Sequence, residues 1–99
     1  MSTSSDSTTT SATTAPTHEM AIILPANLHA RPAGQLARAA TAFTSAIQLE
    51  HADRTVNPTG VLAVMSLGAT AGSTVTVRAE GHDAEQAVTA MAQILADAE

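Results

Sequence analysis

The sequence predicts an α+β fold. The expected form is an open-faced β-sandwich in the order βαββαβα, with a four-stranded antiparallel sheet carrying three helices on one face. Three observations lead there. The chain is 99 residues long, which suits one small domain. Residues 46–51 and 74–79 alternate apolar and polar side chains, as half-buried strands do. Three other segments repeat apolar residues at helical spacing and carry helix-start residues. Element order alone also fits a ferredoxin-like split βαβ, and both folds place helices on one face of an antiparallel sheet.

The elements follow in order. Residues 1–15 form a Ser/Thr-rich stretch with almost no large apolar residue. Such a segment buries too little surface to offset the entropy of ordering, so it is expected to be a disordered tail, with the domain spanning 16–99. Met20-Ala21-Ile22-Ile23-Leu24 is a short apolar run that reads as a buried strand. Pro25-Ala26-Asn27 breaks it. A helix is expected from Ala30 to Thr41, with Leu36, Ala40 and Phe43 facing the sheet.

Residues 46–51 give the second strand, with Ile47 and Leu49 on one face and Gln48 and Glu50 on the other. Ala52-Asp53 turns the chain into a short strand at residues 54–56. Asn57-Pro58 reads as a helix start, with Asn as N-cap and Pro in the first helical position. The helix it opens carries Val61, Leu62, Val64, Met65 and Leu67, and Gly68 reads as its C-terminal cap. Five large apolar residues in about two turns exceed one buried face, so part of this helix is expected to be an exposed partner surface.

Residues 69–73 form a loop. Residues 74–79 form the last strand, with Val75, Val77 and Ala79 inward. Asp83 reads as an N-cap with Gln86 as its capping-box partner. Val88, Met91, Ile94 or Leu95, and Ala98 then give an amphipathic helix to the end of the chain.

The chemistry concentrates in Leu28-His29-Ala30-Arg31-Pro32-Ala33-Gly34, where the first strand hands over to the first helix. First-turn N–H groups have no partner inside their helix, and with the helix dipole they make an anion site. An imidazole is a nucleophile only when neutral, and the positive end of a helix disfavours the imidazolium. Arg31 adds a planar cation suited to phosphate, and Pro32 falls where a missing N–H costs nothing. The arrangement reads as a histidine poised to carry a phosphoryl group. The backbone N–H groups of Ala30 and Arg31, with the Arg31 guanidinium, would hold its charge. The simpler alternative is a histidine that only ends a helix.

These residues resemble the phosphorylation-site motif of the HPr family, the histidine-containing phosphocarriers of the bacterial phosphoenolpyruvate:sugar phosphotransferase system. The resemblance continues in Phe43-Thr44-Ser45, in Val64-Met65-Ser66-Leu67-Gly68, in Ala79-Glu80-Gly81 and in the acidic C-terminal helix, covering residues 17–99. It implies the HPr-like form of the sandwich. It also implies a relay protein rather than an enzyme. Enzyme I would load a phosphoenolpyruvate-derived phosphoryl group onto Nδ1 of His29, and His29 would pass it to a sugar-specific enzyme IIA. Ala30, Val61, Leu62, Met65 and Leu67 would form the docking patch of a cytoplasmic monomer with no cofactor.

The sequence departs from the family at three points. Lysines common around the site are absent. Asn27 stands where glycine is frequent, which is acceptable if the position needs left-handed backbone angles. The serine that a regulatory kinase modifies in some members falls at Gly60, which has no hydroxyl, although Thr59 adjoins it. A relative serving nitrogen regulation or dihydroxyacetone phosphorylation fits the same motifs. A ferredoxin-like regulatory module that never carries phosphate is the alternative of another class.

Composition excludes other chemistries. Hydrophobic residues make up 44% of the chain and aromatics 1%, so the core must be aliphatic, with Phe43 its only aromatic candidate. There is no cysteine, and His18, His51 and His82 are too scattered for a metal site. A net charge of −5 argues against nucleic acid. No apolar run reaches the length of a membrane span, and no secretory signal opens the chain. No Gly-x-Ser-x-Gly elbow or Walker-type loop is present.

Overall fold

The structure is a computed structural model that describes residues 16–99. The expected disordered tail, residues 1–15, lies outside the described residues. The elements are β1 (Thr17–Ile23), α1 (Ala30–Ala40), β2 (Ala46–His51), β3 (Arg54–Val56), α2 (Val61–Met65), β4 (Thr74–Glu80) and α3 (Ala84–Ala96). The sheet order is β1-β4-β2-β3, and every neighbouring pair is antiparallel. β4 and β2 are therefore interior, and β1 and β3 are edges. A ferredoxin-like sheet would put β1 and β3 inside, so the HPr-like open-faced sandwich is the observed fold.

Alternation decides which face is covered. On β4, Val75, Val77 and Ala79 are fully buried; Val77 pairs with Leu49 and Ala79 with Ile47 of β2, and Val75 pairs with Ile22 of β1. α3 packs on β1, β4 and β2, and α1 packs against both α2 and α3. The core is aliphatic, as composition requires: Leu24, Leu36, Leu49, Val64, Met91 and Leu95 are almost without exposure, and Phe43 is only partly buried at its margin. Each such side chain contributes roughly 1.5–3 kcal/mol by leaving water. The other face of the sheet is open, and there Glu19 of β1 pairs with Arg78 of β4 at 3.3 Å.

Four expectations are corrected. β1 is not buried along its length: Met20 and Ile23 are exposed, Ile23 at 71%. β1 is an edge strand, and alternation turns Ala21 and Ile23 to the face without helices, so only Ile22 and Leu24 reach the core. α2 begins at Val61, with Gly60 as its N-cap, and not at Pro58. The Asn57 carboxamide accepts the Thr59 N–H at 2.9 Å and the Thr59 hydroxyl at 2.8 Å, which makes an Asx-turn ahead of the helix. Asp83 is the N-cap residue of α3, as expected, but its side chain makes no capping hydrogen bond there, so the capping box with Gln86 does not form. Leu67 is buried at 4%, because it lies three residues after Val64 on the same inward face. Gly68 closes α2 as expected, donating its N–H to Met65 O at 3.2 Å.

Asp83 reaches instead across the fold. Its carboxylate accepts the backbone N–H groups of Thr44 and Ser45, each at 2.9 Å, and a short hydrogen bond from the Ser45 hydroxyl. The Ser45 hydroxyl, then the Thr44 N–H, favour the charged form and lower the Asp83 carboxyl from 3.8 to about 2. This contact fastens the start of α3 to the loop between α1 and β2. Gly81 makes the approach possible. Its φ is +146°, and an added Cβ would lie 2.8 Å from the Ser45 Cα.

Candidate functional site

His29 is the N-cap residue of α1, with φ −82° and ψ −172°. Its carbonyl accepts the Ala33 N–H at 3.1 Å, the first hydrogen bond of the helix. Between them lie Ala30, Arg31 and Pro32. Pro32 has no N–H and is buried, so it stiffens the first turn without leaving a donor unpaired. The N–H groups of Ala30 and Arg31 have no acceptor among the described residues. The turn therefore presents two amide donors next to an exposed imidazole. The helix dipole adds positive potential at the same place.

Arg31 is exposed and makes no ion pair among the described residues, so its guanidinium is available to an anion. α1 carries Arg38 as its other charge, and no acidic residue lies in its first turn. Arg54 is committed elsewhere: its guanidinium donates to Ser66 O at 2.9 Å, at the end of α2. The His29 ring makes no hydrogen bond among the described residues, so its position is set by the backbone that carries it.

That backbone is held against the loop after α2. Leu24 N–H donates to Ser73 O at 2.9 Å, Gly72 N–H to Leu24 O at 2.8 Å, and Leu28 N–H to Ala69 O at 3.1 Å. Leu24 and Leu28 bury their side chains in the core below. Asn27 adds a fourth tie, because its side-chain oxygen accepts the Ala71 N–H at 2.8 Å. The position does not need left-handed backbone angles, since Ala52 is the one non-glycine residue with positive φ among the described residues. Asn is present here as a hydrogen-bond acceptor, a role that composition and spacing did not reveal.

α2 packs against α1, the helix that His29 opens. Val61 and Met65 are moderately exposed and Leu62 is 80% exposed, while Ala30 is exposed on α1. Of the five residues expected to form a docking patch, Leu67 belongs to the core and drops out. Gly60 sits at the N-cap of α2 with φ −102°, where an added Cβ would meet Ala63 Cβ at an ordinary 3.4 Å. A serine would fit there without backbone strain.

Among the described residues no group of three or more His, Cys, Asp and Glu side chains is gathered to hold a metal ion. No helix among them is long and apolar enough to cross a membrane. Comparison with known proteins points one way. A family model described as the PTS HPr component phosphorylation site matches residues 16–97. The phosphocarrier protein HPr of Lysinibacillus sphaericus is 40% identical over 81 residues, which are 82% of this chain and 92% of that protein. The solved structure of a Mycoplasma histidine-containing phosphocarrier protein superposes with a TM-score of 0.75 at 31% identity, covering 82% of this chain and all of that one. The HPr structure of Bacillus anthracis gives a TM-score of 0.73 at 33% identity, covering 80% of this chain and 96% of that one.

Proposed function

The chain belongs to the HPr family of the phosphotransferase system, and from that membership we propose that His29 is its phosphoryl acceptor. The donor is phosphorylated enzyme I, loaded from phosphoenolpyruvate. Nδ1 of His29 attacks the phosphorus, the bond to the enzyme I histidine breaks, and that histidine leaves with the electron pair. The Ala30 and Arg31 N–H groups and the Arg31 guanidinium hold the charge of the arriving group. The same step in reverse geometry delivers it to a histidine of enzyme IIA. His29 ends as it began, so the protein is a carrier in the relay and not itself an enzyme.

The observation that carries this reading is the His29 N-cap, with two unpaired amide donors and an uncommitted arginine in the turn that follows. Ala30, Val61, Leu62 and Met65 form the surface to which donor and acceptor dock in turn, with the protein acting as a cytoplasmic monomer. Patches of this kind suit transient partners, because they are small and already exposed. The test is incubation with enzyme I and phosphoenolpyruvate. Phosphate that is acid-labile and base-stable marks a phosphohistidine; its absence refutes the assignment.

A further inference from the structure

We propose that Asn27 is a positioning residue for phosphoryl transfer, holding the backbone of His29 in register through the loop of residues 69–73. The proposal rests on the phosphocarrier reading and deepens it. The His29 imidazole has no hydrogen bond of its own among the described residues, so its aim depends on the segment that precedes it. Asn27 grips that segment twice. Its carbonyl accepts the His29 N–H at 2.9 Å, and its side-chain oxygen accepts the Ala71 N–H at 2.8 Å. The other three ties of this strap are backbone-to-backbone and indifferent to side-chain identity. Asn27 therefore supplies the one tie that the sequence itself sets.

The donor side is equally well defined. Ser73 N–H donates to Thr70 O at 2.9 Å, and Gly72 has φ +88°. With Ala71 at negative φ, Thr70-Ala71-Gly72-Ser73 is a type II turn with Ala71 at its first central position. That position points the Ala71 N–H out of the turn and toward Asn27. Proline is favoured at the same position, so Ala71→Pro removes the donor and preserves the turn.

Asn27→Ala, Ala71→Pro and the double variant are compared with the wild-type chain in transfer from phosphorylated enzyme I. The rate is followed as a function of carrier concentration, with thermal unfolding measured on each protein. Each single variant is expected to lower kcat by roughly tenfold, the scale of one net hydrogen bond. KM for the carrier should stay unchanged, because the docking patch is untouched. The double variant should be no slower than the slower single one, since both remove the same bond. Wild-type kcat in the folded single variants overturns the proposal, as does a change in KM alone or a loss that only follows the unfolded fraction. Failure of the wild-type chain to accept phosphate refutes the phosphocarrier reading itself, a distinct result.

Discussion

Gly81→Ala tests the contact that holds α3 in place. Gly81 has φ +146°, a conformation that costs an alanine on the order of 1–3 kcal/mol. The new methyl would also lie 2.6 Å from the Ser45 Oγ, 2.8 Å from its Cα and 3.0 Å from its Cβ. Two of those atoms cannot rotate away, so the α1–β2 loop must move, at an overpacking penalty of about 1–3 kcal/mol. The movement pulls Ser45 from Asp83. A total near 4 kcal/mol is a large share of the stability of a small domain, about 5–15 kcal/mol. It should lower Tm by roughly 15–30 °C. Gly60→Ser is the control, because φ there is −102° and serine is a good N-cap; it should change stability by only a few tenths of a kcal/mol. Thermal and urea unfolding followed by circular dichroism read both. Gly81→Ala within about 1 kcal/mol of wild type would refute the close approach of Gly81 to Ser45.

Other consequences follow from the same structure. Leu67→Ala should cost about 2–5 kcal/mol of folding stability, while Leu62→Asp should leave the fold intact and weaken enzyme I binding by roughly 1–3 kcal/mol; unfolding of Leu62→Asp would place Leu62 in the core. Because folding lowers the Asp83 carboxyl from 3.8 to about 2, its stabilisation is complete above about pH 5 and is lost as pH falls toward 2. Urea titrations of Asp83→Asn should therefore lack part of the wild-type fall over that window; identical curves would remove Asp83 from the acid response. A serine kinase acting at the start of α2 should label Gly60→Ser and not the natural chain; label on the natural chain that disappears in Thr59→Ala would show that Thr59 replaces the missing hydroxyl.

Where the sequence was readable, local periodicity carried the signal. β2 and β4 alternate, and their inward sets are the buried ones: Ile47, Leu49, Val75, Val77 and Ala79. The α3 stripe of Val88, Met91 and Leu95 is likewise buried. The placement of His29, Arg31 and Pro32 at the start of α1 was also readable, because helix-start chemistry is local. What could not be read depends on tertiary partners. Met20-Ala21-Ile22-Ile23-Leu24 has the composition of a buried strand, yet edge position and one open face leave Ile23 in solvent. Asp83 and Gln86 have capping-box spacing, but Ser45 and Thr44, 38 and 39 residues away, claim the carboxylate. Asn57-Pro58 signals a cap, and the Asn57 side chain does accept the Thr59 N–H; the chain turns once more before α2 begins. Asn27 read only as a tolerable replacement for glycine, and its side chain is the acceptor for a residue 44 positions on.

The central claim is that His29 alone carries the phosphoryl group, and one comparison tests it directly. Wild-type protein and His29→Ala are incubated with enzyme I and phosphoenolpyruvate, and the intact mass and circular dichroism of each are recorded. The expected result is a gain of one phosphoryl group on the wild type, none on His29→Ala, and matching spectra. Phosphate accepted by folded His29→Ala would contradict the account.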